Sequence, residues 1–195
     1  MIIGIDIDNT LTDVKKDIND AAFNYARQLG KDVSAINNLD EDINNNSLYY
    51  IKKFHYNYDE LKQFLSTLWE DIVSRAKPRE NVVDVIDELK KEGNKIYIVT
   101  SRVKEFHKDP YLLSKNWLDK NNISYDKLIV DIRDKSFVCK REKIDIFIDD
   151  QLSNCIQISN SNTKVIRITN DKINYENIIN CENWVAIYDV IKGMK

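Results

Sequence analysis

The chain has 195 residues, 43% of them hydrophobic, enough for one full domain and a small second one around ordinary cores. Lys and Arg number 29 against 32 Asp and Glu, and the net charge of −3 excludes a general nucleic-acid binder, which needs a basic face. No apolar run reaches membrane-spanning length, and no basic region precedes the short apolar stretch at the N-terminus, so neither an anchor nor a signal peptide is expected. The three cysteines, Cys139, Cys155 and Cys181, are far apart and odd in number; they read as buried thiols of a cytoplasmic protein.

Met1, Ile2, Ile3 and Ile5, with Gly4 between, predict a short buried parallel strand. Asp6 and Asp8 follow, two residues apart, so on an extended chain both carboxylates face one spot while Ile7 turns into packing. Asn9, Thr10 and Thr12 suit a turn leaving the sheet. Two such carboxylates repel unless a cation or a proton lies between them, which points to a metal, to proton chemistry, or to both.

From Val14 the apolar residues recur at three- and four-residue steps as far as Leu29, predicting a helix stopped by Gly30. Asp32 to Asn46 is polar and reads as loop with a helical turn. Ser47 to Lys77 reads as two helices broken near Tyr56–Asp59, with Asp59 as the cap of the second and Pro78 ending the block. The pattern then alternates. A helix over 81–92 closes on Gly93, a strand over 95–99 ends in Thr100, Ser101 and Arg102, and a helix begins near Pro110. A strand over 126–132, a short helix from Asp134–Lys135–Ser136, and a strand over 144–148 ending in Asp149 and Asp150 come next. A helix over 152–160, a last strand over 163–169 and a closing helix from Tyr175 to Lys192 complete the chain.

This alternation predicts an α/β fold: a Rossmann-like doubly wound parallel sheet with a small all-helical cap inserted after the first strand. The catalytic core is then residues 1–13 plus 79–195, and the cap 14–78, far longer than an ordinary crossover. In a parallel sheet the C-terminal strand ends share one edge, so Asp6, Asp8, Thr100, Ser101, Asp149, Asp150 and the lysine of the Asp134–Lys135–Ser136 run can meet. Such a set suits phosphoryl transfer to a carboxylate. Hard oxygen ligands hold Mg²⁺, a lysine holds nucleophile and phosphate together, and hydroxyls and backbone N–H groups bond phosphate oxygens.

The series DxDNTLT at 6–12, an apolar strand into Thr100–Ser101, Lys135, and an apolar strand into Asp149–Asp150 resembles the four motifs of the haloacid-dehalogenase-like phosphohydrolase superfamily. Within it, the opening and the helical insertion look most like the 5′(3′)-deoxyribonucleotidase-related phosphatases. The resemblance implies Asp6 as nucleophile and Asp8 as acid and base. It implies Asn9, Thr100, Ser101 and Lys135 as phosphate-binding residues, and Asp6, Asp8, Asp149 and Asp150 as holders of Mg²⁺. Arg102 departs from the vertebrate deoxyribonucleotidases, and a long interval between the lysine and Asp149 leaves Lys140 and Lys143 as weaker choices.

Each residue also has a plainer reading. A lone DxD turn is often only a cap, Thr100 and Ser101 could merely start a helix, and a single lysine is usually solvated. Tyr49, Tyr50, Phe54, Tyr56, Tyr58 and Trp69, at helical spacing, suit the core of the cap better than a nucleobase platform. His55 and His107 are isolated, which argues against zinc. The expectation is a cytoplasmic Mg²⁺-dependent phosphomonoesterase acting on a small phosphorylated metabolite, first a nucleoside monophosphate and second a sugar phosphate. No nucleic acid or membrane is expected as partner, and a homodimer stays open. A non-catalytic binding module is the reading from another class.

Overall fold

Ile2–Ile5 (β1) lies inside a six-stranded, all-parallel sheet ordered β3-β2-β1-β4-β5-β6. The other strands are β2 (Lys95–Val99), β3 (Lys127–Ile129), β4 (Ile146–Asp149), β5 (Lys164–Ile168) and β6 (Ile178–Cys181). The structure is a computed structural model and describes residues 1–34, 36 and 47–194. The polar stretch from Asp32 to Asn46, read as loop with a helical turn, falls mostly outside them.

Alternate residues of β1 face opposite cores. Ile3 and Ile5 pack on one side with Val82, Val85, Ile86 and Leu89, the apolar stripe of α5 (Val82–Lys91), and with α6 (Pro110–Lys120) and α9 (Trp184–Gly193). Gly4 faces the other side, where Phe147, α7 (Lys135–Glu142) and α8 (Leu152–Ser159) pack. A Cβ on Gly4 would come 2.5 Å from the Phe147 ring, so only glycine lets the two central strands share that ring. Helices on both faces make the sheet doubly wound. All three cysteines are free and buried. No helix among the described residues is long and apolar enough to cross a membrane.

Between β1 and α5 the chain is helical: α1 (Lys15–Gln28), α2 (Ser47–Phe54), α3 (Tyr58–Phe64), a π-helical turn (Leu65–Trp69) and α4 (Glu70–Arg75). These helices enclose a core of their own, built on Ile18, Ala22, Ala26, Tyr50, Phe54, Leu61, Phe64 and Val73. The expected cap on Asp59 is instead on Asn57. Its side chain accepts from the Glu60 N–H at 2.9 Å while Glu60 accepts from the Asn57 N–H at 2.8 Å, a reciprocal box that Asp59, two residues further on, cannot form. Ser66 and Thr67 hydroxyls both bond the Gln63 carbonyl, drawing it from the regular helical ladder where the π-turn opens.

The two crossings between helical block and sheet are stitched together. Thr12 and Pro78 form an antiparallel bridge, and the Arg79 N–H donates to the Leu11 carbonyl at 2.7 Å. The Arg79 guanidinium reaches the carbonyls of Asn9 (3.0 Å) and Thr12 (2.8 Å) and the Asp13 carboxylate (3.2 Å). At the other end of the chain one expectation fails. The segment from Tyr175 holds a sixth strand before the helix, so 163–169 is not the last strand, and the helix starts only at Trp184, capped by Asn183.

Candidate active site

The residues after β1 are held as a rigid turn. The Asp6 N–H still donates to the Ile148 carbonyl (3.0 Å), and the Ile7 carbonyl then accepts from the N–H groups of Thr10, Leu11 and Thr12. Asn9 takes a left-handed conformation (φ 59°), which asparagine tolerates better than most residues, and its Oδ1 accepts from the Val14 N–H at 3.2 Å. Trp184 on α9 donates its indole N–H to the Thr10 carbonyl at 3.1 Å. Asp6 and Asp8 therefore leave the strand on a fixed frame and face the same cavity of about 390 Å³.

The structure brings the sequence-selected residues to this one edge. Lys135 opens α7, where Asp134 caps the helix, and its buried ammonium lies 2.7 Å from Asp6 Oδ1 and 2.7 Å from Asp149 Oδ2. Lys140 and Lys143 are exposed at the opposite end of the sheet, in a groove with Met1 and Lys164. Thr100 is buried and Ser101 exposed, and both line the cavity at the end of β2. Asn9 lines it too; its Oδ1 serves the turn, so the amide nitrogen is what it can offer.

The two adjacent aspartates differ in surroundings. Asp149 is fully buried, and both its carboxylate oxygens are engaged, by Lys135, the Gln151 N–H (2.9 Å) and the Asn154 amide (3.2 and 3.3 Å). Asp150 is half-buried and lines the cavity; its side chain accepts from Thr10 Oγ1 (3.3 Å), and its backbone carbonyl accepts from Arg167 Nε (3.1 Å).

Sequence reasoning gives no role to two residues that the structure brings here. Asn154 is one, one helical turn into α8. The other is Arg102, noted only as a departure, whose guanidinium forms a double bond pair with Asp8: Nη2 to Oδ1 at 2.7 Å and Nε to Oδ2 at 3.0 Å. An arginine leaving a buried strand beside hydroxyls was the available signal, since such a charge needs a partner.

Oxygens of Asp6, Asp149 and Asp150 lie within 4.8 Å of one another. With Asp8, four carboxylates share two ion-paired cations, Lys135 and Arg102, which leaves two negative charges in excess within this cluster if all ionise, with Lys15 and Arg133 further out on the cavity lining. Hard oxygen donors with that excess fit a divalent cation such as Mg²⁺. The acids respond accordingly. Burial drives the Asp6 carboxyl up from 3.8 to about 7, against the pull of Lys135 and with help from Asp149 and Asp8; burial raises Asp150 as well. These acids hold a proton more tightly folded than unfolded. The metal-free fold therefore has their full contribution below the unfolded value of 3.8 and loses it as pH rises through about 7. In chelator, the thermal midpoint is expected to fall between about pH 5 and about pH 8, and Mg²⁺ to raise it more at the higher pH. A midpoint indifferent to both would show that no cation belongs among these acids.

The family model for haloacid dehalogenase-like hydrolases matches residues 3–113 of the chain. A Clostridium acetobutylicum protein named a nucleotidase is 30% identical over 194 residues, spanning 97% of this chain and 92% of that protein. Among solved structures, a HAD hydrolase of family IA from Entamoeba histolytica superposes with a TM-score of 0.69 at 13% identity, covering 98% of this chain and 99% of that one. A Bacillus subtilis HAD-hydrolase described as bound to magnesium gives 0.61 at 14% identity, covering 97% of each chain.

Proposed function

This chain belongs to the haloacid dehalogenase-like hydrolase family, and from that we propose that it is a Mg²⁺-dependent phosphomonoesterase whose substrates are nucleoside monophosphates. The observation that carries the reading is the Asp6 carboxylate held 2.7 Å from a buried lysine at the floor of a cavity rimmed by Thr100, Ser101 and Asp150. Asp6 attacks phosphorus in line; the new Asp6–phosphorus bond forms as the bond to the alcohol oxygen breaks. Asp8 gives the departing oxygen its proton, then takes one from the water that attacks phosphorus and frees phosphate from Asp6. Lys135 cannot leave, because Asp149 holds it from behind, and it supplies positive charge to nucleophile and phosphate alike. Thr100, Ser101 and Asn9 donate to the remaining phosphate oxygens. Asp6, Asp150 and the Asp8 backbone carbonyl would hold Mg²⁺, with Asp149 spent on Lys135. When bound, that ion offsets the repulsion between a carboxylate and a phosphate dianion. Helices α1–α4 act as the cap over this edge, residues 14–78 between the core segments 1–13 and 79–195.

The nucleotide reading draws on the name of the Clostridium acetobutylicum relative and on the aromatic wall that Tyr50, Trp69 and Phe106 present to the cavity. Most of the cap aromatics, Tyr49, Phe54 and Tyr56 among them, are instead its core. A panel of phosphorylated metabolites tests the reading. Nucleotides are expected to exceed sugar phosphates in kcat/KM by more than about tenfold, roughly 1.4 kcal/mol of differential transition-state binding. A smaller margin would favour a phosphatase of sugar phosphates or other small metabolites.

A further inference from the structure

The reaction above makes no use of Arg102, yet few side chains here are held so completely. The residue is 2% exposed. Its guanidinium grips Asp8 with two bonds, of 2.7 and 3.0 Å, and its third bonded nitrogen, Nη1, donates to Ser114 Oγ at 3.3 Å. That hydroxyl is itself fixed, donating to the Pro110 carbonyl at 2.7 Å in the first turn of α6. Over the guanidinium lies the Trp69 ring, 5.4 Å from Cζ, and Trp69 belongs to the π-turn of the helical block rather than to the sheet. Beside it Glu70 pairs with His107 of the core at 2.8 Å, and the Trp69 and His107 rings are 4.9 Å apart.

We propose that Arg102 is a positioning residue for Asp8, and that Trp69 makes its hold on Asp8 depend on the seating of the cap. The proposal rests on the phosphomonoesterase reading, since it concerns proton delivery to a leaving alcohol. A carboxyl group has about four lone-pair sites, two on each oxygen. The guanidinium fork takes one on each and so fixes the plane of the group, leaving the outer pairs free to carry a proton toward the cavity. A lysine supplies charge but no plane, so it cannot replace the fork. The guanidinium in turn has a rigid support on the core side, Ser114, and an aromatic lid on the cap side, Trp69. When the helical block shifts, the lid moves, and the orientation of the proton donor shifts with it.

The test uses the full chain with Mg²⁺ and two esters. One is an alkyl ester without a nucleobase, ribose 5-phosphate, whose leaving oxygen needs a proton and which has no base to lose from the Trp69 wall. The other is p-nitrophenyl phosphate, whose phenolate departs without one. The readout is kcat/KM, which reports steps up to phosphorylation of Asp6, so the shared second half-reaction cannot mask the difference. Arg102→Met and Arg102→Lys are expected to lower kcat/KM on the alkyl ester by at least about thirtyfold, short of the roughly 10²–10⁴-fold that a whole general acid contributes, and on p-nitrophenyl phosphate by no more than about threefold. Trp69→Leu, which leaves the buried charge pair in place, is expected to move the same ratio in the same direction by about threefold or more. Equal losses on both esters would overturn the proposal, because a scaffold or phosphate-binding role penalises them alike. A ratio unmoved in Trp69→Leu would overturn the link to the cap, even if Arg102→Met failed to fold. A wild-type protein inert on every phosphomonoester would remove the underlying phosphatase reading, a result distinct from any of these.

Discussion

Asp6→Asn is expected to stop turnover on every phosphomonoester, by on the order of 10⁴-fold or more, while leaving the fold intact. The amide has the shape of the carboxyl but no charge with which to attack phosphorus. The backbone around it does not depend on the carboxylate: the residue 6 N–H bonds the Ile148 carbonyl, and the turn beyond is tied by the Ile7 carbonyl and by Trp184. Removing one acid from a crowded group also relieves repulsion, since Asp149 and Asp8 both push the Asp6 carboxyl toward its neutral form. The melting temperature in chelator should therefore match or exceed the parent's. Steady-state assays with thermal denaturation decide the matter, and a variant retaining more than about one part in a hundred of activity would displace Asp6 as nucleophile.

Lys135→Met is expected to cost about 3–5 kcal/mol of stability at neutral pH, besides its activity, because it breaks a buried ion pair from one side only. Burial by itself works against the lysine's charge, but Asp149 and Asp6 outweigh it and hold the ammonium firmly protonated. Methionine fills a similar space and neutralises nothing, so Asp6 and Asp149 would face each other without a cation. Without the pull of the lysine, the buried Asp6 carboxyl holds its proton to higher pH than in the unfolded chain. The destabilisation should then be mild near pH 5 and grow toward pH 8, and added Mg²⁺ should recover part of it. Urea denaturation at both pH values measures this. A loss under about 1 kcal/mol near pH 8 would mean that the lysine does not neutralise the pair.

The sheet was legible because its strands are short apolar runs ending in polar residues, and parallel strands covered on both faces must read that way. Convergence of Asp6, Lys135, Asp149 and Asp150 followed from topology, which places all the strand ends on one edge. What escaped has physical reasons. The four residues of β6 pair with one neighbour only, and they run directly into a helix of similar apolar content. Asn57 outcompetes Asp59 because a cap depends on register, and register shifts by a residue or two without changing the apolar pattern. The π-turn at Leu65–Trp69 has no periodicity of its own to announce it, though the Ser66–Thr67 pair is consistent with it in hindsight. Arg102 was beyond spacing arguments, since it meets Asp8 across the sheet edge over 94 positions, whereas Asn154 bonds Asp149, the anchor of Lys135, from only five positions on and carries no motif of its own to mark it.

The stitching of Thr12 to Pro78, with Arg79 bound back to Asn9 and Thr12, carries an evolutionary consequence. Where departure and return are fastened to each other, the sheet beneath registers the block chiefly as a closed loop, apart from the contacts of Trp69 with Arg102 and of Glu70 with His107. Doubling the length of such a loop adds only about 0.6 kcal/mol of closure entropy. Lineages can therefore exchange one helical block for another of different size and lining, and so retune selectivity, as long as the exchange keeps a ring over Arg102.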